Sequence, residues 1–182
     1  MTVEAILDQV KSHTARHVVL TGGEPMVARG IVELAAGLRE MGRHITIETA
    51  GTIAPGGIDC DLASISPKLA NSTPLEGEID PVWIGRHDRD RFVPEVISQW
   101  LRCSDYQLKF VVAEADDLKE IEILLARIGV EIPRHKVQLM PEGTDLATLR
   151  NRDQIVLDLC RQHGYRYCDR LQIALFGNTR GT

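Results

Sequence analysis

Four short polar segments carry the residues that could do chemistry. Thr21-Gly22-Gly23-Glu24-Pro25, Glu48-Thr49-Ala50-Gly51-Thr52, Ser66-Pro67-Lys68 and Met140-Pro141-Glu142-Gly143 each follow a short apolar run. Adjacent glycines let a ligand approach the backbone closely, and Glu24 could hold an ammonium group. Ser66 and Lys68 could bind a carboxylate or ribose hydroxyls. Such a set suits a small polar metabolite that carries both an amine and an acid. Each segment also has a plainer reading. Paired glycines end strands because they tolerate positive φ, and Glu24 and Pro25 suit a first helical turn. Glu48 and Lys68 would then be solvated surface charges.

The elements around these segments decide whether they can meet. A helix is expected over Val3–Val10. Strands are expected at His17–Leu20, His44–Thr49, Leu62–Ser66, Tyr106–Val112 and Lys136–Met140. Between them, helical spacing runs from Val27 to Met41 with Gly42 as the terminal cap. It runs again from an Asp117 capping box with Glu120 through Ile121, Leu125 and Ile128 to Gly129, and from a Thr144 cap to about Gln162 with Gly164 closing it. The tail from Tyr165 to Phe176 reads as strand. Repeated strand–helix units mean parallel strands with right-handed crossovers. Too few units exist for a closed eight-stranded barrel, so an open or partial barrel in one domain over residues 1–182 is expected. Folds of this kind place ligands at the carboxyl ends of their strands, where all four segments stand. Residues 71–91 form a long polar loop, either a lid or disordered.

Composition sets outer limits. The 182 residues are 43% hydrophobic with a formal charge of −5, which suits a soluble domain and argues against a nucleic-acid binder. No apolar run is long enough to cross a membrane. Cys60, Cys103, Cys160 and Cys168 lack zinc-knuckle or redox spacing and read as thiols of a reducing cytoplasm. His87-Asp88-Arg89-Asp90 reads as a solvated charge run, Trp83 and Trp100 as packing residues, and Glu114–Asp117 as an acidic helix start.

Taken with its strand-end position, Thr21-Gly22-Gly23-Glu24-Pro25 resembles the GGEP motif of radical S-adenosylmethionine (SAM) enzymes. Glu48-Thr49-Ala50-Gly51-Thr52, Ser66-Pro67-Lys68, Gln138-Leu139-Met140-Pro141 and the tail Leu171–Asn178 narrow the resemblance to the 7-carboxy-7-deazaguanine synthase family of queuosine biosynthesis. It covers nearly the whole chain in order. The resemblance implies an α/β partial (β/α)6 barrel of the radical SAM type. It implies a carbon–nitrogen lyase that converts 6-carboxy-5,6,7,8-tetrahydropterin to 7-carboxy-7-deazaguanine with loss of ammonia. SAM contacts would come from Gly22, Gly23, Glu24, Glu48, Ser66, Pro67, Lys68, Gln138, Leu139, Met140 and Pro141. Thr21 and the terminal carboxylate of Thr182 would reach the pterin. A homodimer, a flavodoxin-type electron donor and a cytoplasmic location follow from the same resemblance.

One departure is large. Enzymes of this kind hold a 4Fe–4S cluster on a CxxxCxxC loop after the first strand and Mg2+ on a threonine just beyond it. This sequence contains neither motif. The match begins at the first helix, so the expected fold lacks its first strand and cluster loop, and no residue here is a catalytic or metal-ligand candidate. A shortened reading frame is favoured over a degenerate relative, and as given the chain is expected to hold no cluster and to be inactive. The alternatives are an activase of the glycyl-radical type and a cluster-free module binding SAM or a pterin.

Overall fold

A computed structural model of the chain describes residues 1–74, 80, 82, 85 and 89–179. Thr182, Trp83 and His87-Asp88 lie outside the described residues. Six strands follow one another in a single sheet in the order β1-β2-β3-β4-β5-β6, which is not closed. The chain divides into two compact units, Met1–Ser66 with Glu95–Gln107 and Pro67–Pro94 with Leu108–Thr182.

In the first unit, α1 (Val3–Lys11) starts at Thr2, whose hydroxyl accepts the Ala5 N–H. α1 packs against α2 (Ile31–Glu40). The helices cross closely there, because a Cβ on Gly37 would stand 2.6 Å from the end of the Leu7 side chain. The strands β1 (His17–Leu20), β2 (His44–Thr49) and β3 (Leu62–Ile65) pair in parallel, with His17 opposite His44 and Thr46 opposite Leu62. Their period of two sorts the faces. Ile45, Ile47, Ala63 and Ile65 are fully buried. The alternate residues Thr46, Glu48 and Ser64 make the other face polar. Trp100 on α3 (Pro94–Cys103) is fully buried and donates its indole N–H to the Ile53 carbonyl at 2.9 Å, so it is a packing residue as expected. The helix expected from Val27 starts late. Pro25–Val27 is a 3-10 turn, and Gly30 takes a left-handed φ of 83° that interrupts helical backbone before Ile31.

The second unit continues β4 (Asp105–Val112) from Leu108 and pairs it with β5 (Val137–Pro141), which pairs with β6 (Arg166–Tyr167). Every residue of β5 is buried. α4 (Asp117–Ile128) turns Ile121, Leu124 and Ile128 inward and stops at Gly129 with φ 73°. α5 (Leu146–His163) packs on β5 and β6.

Three expectations for this unit need correction. Asp117 does not cap α4. Asp116 holds the cap position, while the Asp117 carboxylate turns back to accept the Ala113 and Glu114 N–H groups and Asn71 Nδ2. Glu120, the other half of the supposed capping box, instead accepts the Ala70 N–H. α5 is capped by Asp145, whose carboxylate takes the Thr148 N–H and hydroxyl, and not by Thr144. The tail is strand only at Arg166–Tyr167. Leu171–Phe176 is a helix, α6, which buries Ile173 and exposes Leu171, Leu175 and Phe176.

Candidate binding site at the strand ends

The first unit brings the ends of β1 and β2 together through one carboxylate. Glu24 Oε1 accepts the Met26 N–H at 3.2 Å, which caps the 3-10 turn. The Thr49 hydroxyl lies 2.9 Å from Oε1 and 2.8 Å from Oε2, and the Ala50 N–H reaches Oε2 at 3.0 Å. Thr49 is buried and its hydroxyl also accepts the Gly51 N–H. Thr21 donates to Glu48 at 3.4 Å, and the Ser66 N–H reaches the Thr49 carbonyl at 2.8 Å. The sequence reading named Thr49 within its segment but not its bond to Glu24, whose signal was a polar residue in the buried register of β2.

Above this staple the backbone is bare. Gly22 sits at φ 149°, a region that residues with a Cβ avoid, and a Cβ added to Gly22 or Gly23 would meet nothing within 4 Å. Open space over a glycine pair is what a ligand lying against the main chain requires. Gly51, at φ 74°, is different. A Cβ there would stand 2.7 Å from Ile65, so this glycine serves packing.

In the second unit, Lys109 and Gln138 are register partners across β4 and β5, with Gln138 buried. Lys68 stands just past Pro67. Lys68 is exposed at the surface, and desolvation by its surroundings, then the positive charges of Lys109 and Arg170, hold its ammonium below the ordinary lysine pKa. Arg170 donates to the Gly143 carbonyl at 2.6 Å, and its buried Nε has no hydrogen-bond partner. Arg152 ties the β4 and β5 ends, donating to the Ala113 carbonyl at 3.1 Å and the Glu142 carbonyl at 2.9 Å. Lys109, Arg152 and Arg170 were not singled out in the sequence. Only the alternation Gln107-Leu108-Lys109-Phe110 offered a signal. Met140 and Pro141 are buried at the end of β5 beside Leu139 and Gln138.

The four cysteines are free and lack CxxxCxxC spacing, and burial raises the Cys60 and Cys160 thiols above their ordinary pKa. Among the described residues no group of three or more His, Cys, Asp or Glu side chains could hold a metal ion. No described helix is long and apolar enough to cross a membrane.

An unclosed α/β sheet of parallel strand pairs defines the class: a partial barrel of the radical SAM kind. No family model matches the chain. Curated relatives do. It is 43% identical to the 7-carboxy-7-deazaguanine synthase of Rhodopirellula baltica over 100% of this chain and 69% of that protein. It is 44% identical to the 7-carboxy-7-deazaguanine synthase of Halobacterium salinarum over 100% of this chain and 74% of that one. The crystal structure of QueE from Escherichia coli shares the fold, with a TM-score of 0.66 at 22% identity over 93% of this chain and 64% of that one. The chain belongs to the 7-carboxy-7-deazaguanine synthase family.

Proposed function

We propose that the strand-end loops bind SAM and a reduced 6-carboxypterin for the family's carbon–nitrogen lyase reaction. One observation carries this reading. Lys68 is exposed just past Pro67, with the positive charges of Lys109 and Arg170 near enough to lower its pKa, an arrangement that favours an anionic ligand. Both proposed ligands carry a carboxylate. Gly22 and Gly23 supply open backbone, and the pinned Glu24 fixes the direction of that loop. Glu48 with Thr21, Ser66 with Pro67, and Gln138 through Pro141 complete the proposed contacts, Thr21 and Thr182 serving the pterin. SAM supplies the hydrogen-abstracting radical chemistry of the family, and this chain's residues bind, orient and shield. Among the described residues no ligand set for an iron–sulfur cluster or Mg2+ is present. The reading extends to a homodimer in the cytoplasm served by a flavodoxin-type donor.

Calorimetric titration with SAM tests it. Hydrogen bonds to an open site contribute about 1 kcal/mol each, so binding in the millimolar range is expected, weakened about tenfold by Lys68→Ala. Undiminished binding in that variant would place the ligand elsewhere.

A further inference from the structure

Lys68 has little local structure of its own. It follows Pro67, which fixes one backbone torsion, and precedes a 3-10 turn at Ala70–Ser72. What holds it comes from distant sequence. Arg91 Nη1 donates to the Lys68 carbonyl at 2.7 Å and to Glu120 Oε1 at 2.8 Å. The Glu120 carboxylate also accepts the Ala70 N–H at 2.9 Å. One ion pair therefore grips the main chain on both sides of Leu69.

The grip is anchored. The Arg91 side chain is 16% exposed and that of Glu120 25%. Phe92, next along the chain, is buried with the Arg127 guanidinium 5.0 Å from its ring centre. Glu120 and Arg127 are two turns apart on one face of α4, so residues 91–92 dock along that helix. Beyond the grip, Asn71 Nδ2 donates to Asp117 at 2.9 Å and to the Val111 carbonyl at 3.1 Å. Charge-assisted bonds of this type are short and directional, which suits them to setting a loop's path.

We infer that Arg91 is a positioning residue for the carboxylate-binding Lys68, aiming its ammonium by clamping the Lys68 main chain to Glu120. The inference rests on the proposed role of Lys68 in binding an anion. Arg91 touches no ligand in this scheme and acts through Lys68.

The test is a double-mutant cycle on SAM affinity, using the chain with Arg91→Gln, Lys68→Ala and both, with thermal unfolding in parallel. Arg91→Gln is expected to weaken SAM about tenfold alone and less than about twofold in the Lys68→Ala background, with Arg91→Lys restoring part of the loss. Equal losses in both backgrounds would overturn the inference, as would no loss in the single variant. Acetylation of Lys68, read by mass spectrometry, gives a second readout independent of ligand. Arg91→Gln should change the Lys68 rate about threefold or more while the rate at solvated Lys119 stays constant. If the unaltered chain binds no SAM, the ligand assignment falls and labelling alone decides. A changed Lys68 rate then upholds the clamp, and an unchanged one removes it.

Discussion

The Thr49 hydroxyl lies within 2.9 Å of both oxygens of the Glu24 carboxylate, joining the end of one strand to the start of the loop after its neighbour. The two residues are distant in sequence, and only the parallel register of β1 and β2 brings them together. Thr49→Val keeps the shape and removes the hydroxyl. It should lower stability by about 1–2 kcal/mol in urea unfolding, while Thr49→Ser stays near the original. Equal stability of all three would show the contact to be neutral.

Two glycines should respond differently to a methyl group. At Gly51 a left-handed backbone coincides with a Cβ position 2.7 Å from Ile65, so Gly51→Ala should cost about 3 kcal/mol. Gly22 has a demanding φ but open space, and Gly22→Ala should cost about 1 kcal/mol. Thermal unfolding of the pair checks the order. A reversed order would mean that the backbone at 22 cannot relax.

Alkaline stability should carry the mark of Tyr165. Its hydroxyl donates to Glu122, and burial followed by that bond raises the phenol from 10.0 to about 12. The folded state prefers the neutral phenol. Its contribution is therefore complete below the ordinary value and lost as pH rises through the folded one. Tyr165→Phe should match the original chain at high pH and differ from it near neutrality. A stability gap independent of pH would contradict the assignment.

The cation cluster makes a signed prediction. Lys109 and Arg170 lower the Lys68 pKa, so Lys109→Met should raise it toward the ordinary lysine value. Acetylation of Lys68 at a fixed, mildly alkaline pH should slow accordingly. A faster rate would mean that access and not charge governs this amine.

β1 lies at one end of the strand order, with Val19 51% exposed. Exposed apolar edges pair with other chains. Sedimentation should show concentration-dependent association, reduced by Val19→Lys. A monomer at all concentrations, with or without the change, would show that the edge tolerates water.

Most elements were legible because their signals are local. Alternation at Ile45, Ile47 and Thr49 marks a half-buried strand, and Gly129 and Gly164 mark helix ends through left-handed torsions. Asp117 was misread because its bonds to Asn71 and the preceding loop depend on chain crossings that spacing does not encode. Leu171–Phe176 was misread because its outward leucines mimic a strand's mixed pattern. At the site, Gly22–Gly23 announced themselves by type. The tie of Thr49 to Glu24 and the roles of Arg91 and Arg170 did not, since each acts through a partner far along the chain.

Within each unit the strands pair in chain order, β1 with β2 with β3 and β4 with β5 with β6. Each pairing can close as soon as the next strand has been synthesised, without waiting for a distant segment. A ribosome-bound chain could thus zip up progressively, exposing one new edge at a time. Loop-closure entropy stays small at every step. The loops at the carboxyl ends lie outside the ladder itself, so apart from ties such as Glu24 to Thr49 their residues can be chosen for chemistry.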